Sequence, residues 1–304
     1  MATLRTNLPQ LYLSRLANLE DVLFDEIAIE SSPWQRILKV RDMGNKPFVT
    51  TTTVASFGMV PVKTEGAPVQ YEDLASGFDY RYQADTYELA FRASKEALDD
   101  EQEEVVSDAA RALGQSLNYT YSVDHANIFN NGFSSSVLGP DGVALFSTAH
   151  PLIGGGTNAN RPSTDGDLSV AQLRVALNDI ANTKDDAGKL LHWRPKYLLI
   201  SYNQRWLAKE LLGSDLRADT ADNATNAFKD DDLQVVATPY LTDTNAFYVL
   251  AEPSQHNIRT YWRERPNTLH DWDFETSSMK VKIRARWKKG WSEWRGAYGT
   301  SGSS

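Results

Sequence analysis

The side chains that carry most protein chemistry are scattered along this chain of 304 residues. It has no cysteine, which removes disulfides, thiolate nucleophiles and cysteine-ligated metal sites together. The histidines, His125, His150, His192, His256 and His270, show no helical pair or short spacing, so only the fold could gather them into a metal site. Serine, histidine and aspartate all occur, but no Gly-x-Ser-x-Gly elbow sets a nucleophile beside its base. Gly154-Gly155-Gly156 lacks the Lys-Ser/Thr tail that lets a glycine-rich loop hold phosphate, and reads as a surface loop. Asp141-Gly142 is followed by no calcium-loop spacing. Asp99-Asp100 and Asp230-Asp231-Asp232 stand in helix-start or turn contexts, where carboxylates are solvated. The remaining candidates are aromatic: Trp262, Trp272, Trp287, Trp291 and Trp294 crowd the last part of the chain. Such rings can stack on sugars or unstacked bases. Trp287, however, falls on the apolar side of an alternating stretch, which favours core and interface anchors. The expectation is a protein with no catalytic, cofactor or metal site.

Hydrophobic residues make up 41% and charged residues 23%, which suits a folded protein with a sizeable core in one large or two modest domains. No apolar run is long enough to cross a bilayer, and Met1 to Asn7 lacks the apolar core of a signal peptide, so a cytosolic origin is the default. The net charge is −9, yet Arg259 to Arg295 is locally basic. Two solvated faces would explain this, as would acidic and basic surfaces that meet between copies. An acidic chain is poorly suited to tight, non-specific DNA binding.

The elements follow from periodicity. Met1 to Gly44 reads as an extended arm with a helical piece at Leu16, Leu19, Leu23 and Ile27, interrupted by Pro33. Lys46 to Arg92 has β texture, punctuated by Gly58, Pro61, Gly66 and Pro68. Phe78, Tyr80 and Tyr82 alternate with polar residues; after Ala84 the apolar set becomes Tyr87, Leu89 and Phe91. That phase change predicts a bulge, or a strand passing from one environment to another. The stretch reads as a long two-stranded arm whose end, near Lys63 to Pro68, lies far from the core. Asp100 and Glu103 suggest a capping box for a helix about 40 Å long, apolar at Val106, Ala110, Leu113, Leu117, Tyr121 and Ile128. Asp124 is the one polar member of that series, and Asn130-Asn131-Gly132 stops the helix.

After a Gly/Ser/Asn/Pro-rich stretch from Phe133 to Asp167, Ser169 and Gln172 suggest a second capping box, with Leu168 and Leu173 as a hydrophobic staple. Leu173, Ala176, Leu177 and Ile180 give that helix its buried face, and Asp185-Asp186-Ala187-Gly188 turns the chain. Tyr197 to Ile200, Leu233 to Ala237 and Phe247 to Ala251 read as strands, and Asn203 as the cap of a helix through Leu212: a compact α+β unit. Ile258 to Trp262 and Met279 to Lys289 are further strands. In the latter Val281, Ile283, Ala285 and Trp287 alternate with Lys280, Lys282, Arg284, Arg286 and Lys288, giving one buried and one basic face.

This order resembles the Hong Kong 97-like major capsid proteins of tailed bacteriophages. Val62-Lys63-Thr64-Glu65-Gly66 and Phe78 to Arg92 look like the family's E-loop. Ala93 to Asp100 looks like its Ser-x-x-x-Leu/Met-Asp-Asp step, and Ile128-Phe129-Asn130-Asn131-Gly132 like the Asn-Gly end of its spine helix. Asp141 to His150 resembles the Mu-like major head subunit branch, and Tyr197 to Gln204 the A-domain strand with its helix start. The pattern runs from about Phe48 to the C-terminus.

The resemblance implies an α+β, Hong Kong 97-like fold: an N-terminal arm (1–44), an E-loop β-hairpin (45–84), a P-domain with a spine helix at about 101–129 and its following loop (85–167), an A-domain (168–251), and closing P-domain strands with a C-terminal tail (252–304). It implies a major head protein, made in the bacterial host cytoplasm, that assembles into hexamers and pentamers of an icosahedral virion head around double-stranded DNA. Its partners would be other copies of itself, a separate scaffolding protein, a portal, and packaged DNA without sequence-specific contact; no membrane and no cofactor are expected. Lys63, Glu65, Tyr71 and Phe78 on the arm, and Lys282, Arg284 and Arg286 on the basic strand, are the expected contacts between subunits. Because the pattern begins early, no scaffolding segment is expected to be cut from this chain. Some members form Lys-Asn isopeptide cross-links from the E-loop; Lys63 lies there, but no matching Asn or catalytic Glu is found, so that chemistry is not carried over. The alternatives are an encapsulin-like compartment shell, which shares the fold, and a glycan- or nucleic-acid-binding module built on the late tryptophans.

Overall fold

The computed structural model describes residues 27, 29–66, 68–99, 103–213, 228, 232–273 and 275–303. The helical piece expected at Leu16 to Leu23, the Asp100 cap and Asp230-Asp231 lie outside these residues. In chain order the described elements begin with α1 (Pro33–Ile37), β1 (Lys39–Asp42), β2 (Val49–Val54), β3 (Ser76–Tyr82), β4 (Asp85–Ser94), α2 (Lys95–Asp99) and α3 (Glu103–Asn130). A short hairpin, β5 (His150–Pro151) with β6 (Thr157–Asn158), precedes α4 (Val170–Ala181) and β7 (Pro195–Ser201). Then come α5 (Arg205–Gly213), β8 (Gln234–Thr238), β9 (Phe247–Ala251), β10 (Ile258–Asp273), β11 (Ser278–Trp291) and β12 (Ala297–Thr300).

The first sheet has the order β1-β10-β11-β4 and carries α3 on its apolar side. Val281, Ile283, Ala285 and Trp287 of β11 are buried there, as the alternation requires. Val106, Ala110, Leu113, Leu117, Tyr121 and Ile128 of α3 pack onto the same cluster. The phase change after Ala84 is the passage between two environments: β3 pairs with β2 in a separate ribbon, whereas β4 pairs with β11. β10 runs beyond the expected Trp262, through Pro266, to Asp273. Proline cannot donate to a ladder, and the register shifts between Trp262 and Glu264 and between Glu264 and Asn267 give it an irregular position it can occupy.

The second sheet has the order β12-β9-β7-β8. β7 is buried on both faces, which is why it reads as an unbroken apolar run. Tyr197 and Leu199 join the main core, and Leu198 and Ile200 a second cluster under α4. Ser169 Oγ accepts the Gln172 N–H at 3.3 Å, with Leu168 and Leu173 both buried beneath it. Asn203 does not cap α5: it sits inside a 3-10 turn, Tyr202–Gln204, which takes up those residues before the helix starts. α3 ends on the second sheet, where Tyr248 Oη donates to the Phe129 carbonyl at 3.2 Å. A Cβ at Gly132 would lie 2.7 Å from the Phe146 ring, so the helix stop needs glycine for this close approach.

Candidate assembly surfaces

The ribbon of β2 and β3 is held by its ladder and by side chains of its own. Thr53 Oγ1 accepts the Phe78 N–H at 2.7 Å, Thr52 donates to Asp79, and the Arg81 guanidinium lies 3.7 Å from the centre of the Phe48 ring. Beyond the Ala55 N–H to Ala75 carbonyl bond the described chain forms no strand until Ser76. That tip carries large apolar side chains in solvent: Val62 is 98% exposed, Tyr71 95% and Met59 88%. A contiguous apolar surface left open on a subunit marks a contact with another macromolecule. Lys63, Glu65 and Tyr71 all lie exposed in this segment, and no contact joins them among the described residues. Phe78 is elsewhere, partly buried near the tip end of the ladder, beside Pro140, Ile153 and Trp291.

The basic strand is neutralised largely within the chain. Lys280 pairs with Asp273 at 2.6 Å, Lys282 with Glu88 at 3.7 Å and Lys288 with Asp85 at 2.9 Å. Arg284 reaches both Glu88 and Glu264 at 3.1 Å. Partly exposed pairs of this kind contribute about 0–1 kcal/mol each. The local basic excess is therefore met chiefly by the neighbouring strands β4 and β10. Arg286 lies between these pairs, and its Nε is buried with no hydrogen-bond partner among the described residues.

One charge pair is turned inward. Lys289 Nζ sits 2.5 Å from Asp124 Oδ1, whose other oxygen accepts from Trp287 Nε1 at 2.9 Å and Tyr87 Oη at 3.3 Å. Burial pushes the Asp124 carboxyl up, but Lys289 and the indole more than reverse this, leaving it below its usual value. At Lys289 burial outweighs the same pairing and lowers the ammonium. The pairing thus favours the charged form of Asp124, while burial works against the charge on Lys289.

Three of the histidines are absorbed by the core. His125 bridges the Tyr121 carbonyl at 2.7 Å and Thr260 Oγ1 at 2.8 Å, and His256 Nε2 donates to the Ile37 carbonyl at 2.9 Å. His150 meets Asp141 at 2.6 Å and stacks on Trp294. Among the described residues no three or more His, Cys, Asp or Glu gather around a metal position, and no helix is long and apolar enough to cross a membrane. Burial pushes His125 and His256 each down to about 4. A histidine held neutral contributes stability that is lost as pH falls below its unfolded value near 6.5, because only the unfolded chain then takes up the proton. Between pH 7 and pH 5.5 the subunit should lose about 1 kcal/mol per histidine. Asp179, pushed up to about 6 by burial, works in the opposite sense. Comparing denaturant unfolding of the wild type with His125→Gln/His256→Gln isolates the histidines; an equal pH effect in both would assign the loss elsewhere.

The late tryptophans form no open platform: Trp262, Trp287, Trp291 and Trp294 are buried, and Trp272 is half-exposed. The alternation that placed Trp287 inside was the correct guide. Trp206 of α5, which sequence reasoning passed over, is well exposed beneath the Arg205 guanidinium. Ile153, Lys189 and Arg295, which hold the ribbon at the tip end of its ladder, were also missed, because they come from separate turns that share no periodicity.

A family model described as phage capsid protein matches residues 79–299. No curated protein matches the sequence. Among solved structures, the capsid of the cyanophage P-SCSP1u is similar at a TM-score of 0.58 and 11% identity, over 88% of this chain and 86% of that one. A structure from Microbacterium phage Oxtober96 gives 0.54 at 12% identity, over 88% and 90% of the two chains. The capsid of bacteriophage JBD30 gives 0.54 at 15% identity, over 69% of this chain and 91% of its own. At such identities the likeness is one of fold.

Proposed function

Because this chain belongs to the phage capsid protein family, we propose a role for each of its surfaces in the shell of the virion head. It is a structural major capsid protein with the α+β, Hong Kong 97-like fold. Residues 1–44 serve as the N-terminal arm and 45–84 as the E-loop. The first sheet with α3 and the loop after it is the P-domain, residues 168–251 form the A-domain around the second sheet, and 252–304 close the P-domain and then lend β12 to the second sheet. Copies join as hexamers and pentamers, with the E-loop lying over the next subunit. Lys63, Glu65 and Tyr71 make that contact, and Phe78 seats the loop near the tip end of its ladder. Lys282, Arg284 and Arg286 offer a neighbour only the charge left over from pairing within the chain. A scaffolding protein, a portal and packaged DNA complete the set of partners. The assignment to the Mu-like branch rests on the sequence of the Asp141 to His150 motif, whose two ends meet in a buried contact.

The observation that carries this reading is the exposed apolar tip of a two-stranded ribbon. Among the described residues the tip beyond the ladder buries no side chain in its own subunit, so its apolar groups are covered by a second molecule. Negative-stain microscopy of the purified subunit, alone and with a scaffolding partner, should show closed shells or capsomer rings. Monomers alone at every concentration would overturn the proposal.

A further inference from the structure

The ribbon is fastened at the tip end of its ladder. Lys189, in the turn after α4, donates from Nζ to Ser56 Oγ at 2.7 Å and to the Phe57 carbonyl at 3.2 Å, just where the ladder ends. On the other strand Gly77 lies against Ile153: a Cβ at 77 would sit 2.3 Å from Ile153 Cδ1 and 2.8 Å from Thr53 Oγ1. A side chain at 77 would force Ile153 or Thr53 to move. At the end of β11, a Cβ on Gly290 would meet Tyr80 Oη of the ribbon at 2.8 Å.

The holding residues share an anchor. Asp186 Oδ1 accepts the Ile153 N–H at 3.1 Å and Arg295 Nη2 at 3.0 Å. Arg295, itself buried, also donates to the Lys184 carbonyl at 3.0 Å and to Glu293 at 2.7 Å. The turn at 184–189, the β5–β6 loop and the end of β11 are thereby joined on one side of the ribbon.

We infer that Gly77, Ile153 and Lys189 are positioning residues that clasp the ribbon to its own subunit and set the angle at which the tip meets the next copy. This rests on the reading of the arm as an inter-subunit contact. Leverage makes the angle matter. Val62 stands eight residues beyond the end of β2, a reach of roughly 25 Å in extended chain. A tilt of about 10° at the clasp moves the tip by about 4 Å, as far as an apolar contact itself extends.

The chain has no cysteine, so Val62→Cys and Ala171→Cys can carry spin labels for a distance measurement on the unassembled subunit. The wild type should give a distribution with a single maximum, whose width is that of the unpartnered tip alone. Lys189→Ala should spread it by about 4 Å or more, Gly77→Ala should shift its centre, and Lys189→Arg should restore it. Lys189 is 51% exposed at its side chain, so its truncation leaves the core intact, and the thermal midpoint should barely move. Shell yield should fall several-fold with Lys189→Ala. An unchanged distribution would overturn the clasp, and a broadened one with wild-type shells would overturn its role in assembly. Failure of the arm reading would instead show as normal shells from a chain without the tip, whatever the distances.

Discussion

Replacing Phe57 to Tyr71 with a short Gly/Ser turn leaves a soluble, cooperatively folding subunit that makes no closed shells. No buried side chain among the described residues lies between Gly44 and Arg81, so the excision takes nothing from the core. Among the described residues it removes the Lys189 and Ser56 bonds to the Phe57 carbonyl, and within the tip the Gly58 N–H to Glu72 bond. The exposed Met59, Val60, Val62 and Tyr71 gain nothing in a lone subunit, and their burial must come from another copy. Unpaired ribbon edges in water also invite misassociation, which is a further reason for the arm to be ordered by a neighbour. The loss should be complete, because a closed shell repeats the same contact at every subunit. Thermal unfolding paired with electron microscopy decides it. Normal shells would remove the assembly role of the arm, and an insoluble product would mean that the segment belongs to the core.

What was legible in the sequence is what repeats with a period. The inward series on β11 and the apolar face of α3 are each visible because one face of a regular element is buried. The Ser169 cap is visible because its partner lies three residues away. Phe247 to Ala251 is legible as a buried strand, but nothing local says that β7 pairs antiparallel with β9 and parallel with β8. The extension of β10 past Pro266 was hidden for the same reason. A proline argues against a strand locally, and only the partner β11 shows that the ladder resumes. The clasp was the least legible part, since Lys189, Ile153 and Gly77 meet only through tertiary folding.

Asp124 and Lys289 mark the boundary between these cases, and their pair yields the second large expected effect. Asp124 stood out as the polar member of an apolar helix face. Lys289 carries the same signal in period two: it follows Val281, Ile283, Ala285 and Trp287 onto the inward side of β11. Two buried faces, each broken once by opposite charge, could have been matched from the sequence. Substituting Lys289→Met keeps most of the stem volume and removes the charge, leaving Asp124 with only its Trp287 and Tyr87 hydrogen bonds in a site about four-fifths enclosed. An uncompensated buried charge typically costs about 3–5 kcal/mol, a large fraction of the stability of a folded domain. Adding Asp124→Asn removes the stranded charge and keeps an acceptor for the indole N–H, so the double variant should regain most of the loss. Denaturant unfolding of the unassembled subunits measures the cycle. A single variant costing under about 1 kcal/mol, or a double variant no better than the single, would show that the pair does not hold α3 to β11 as its geometry indicates.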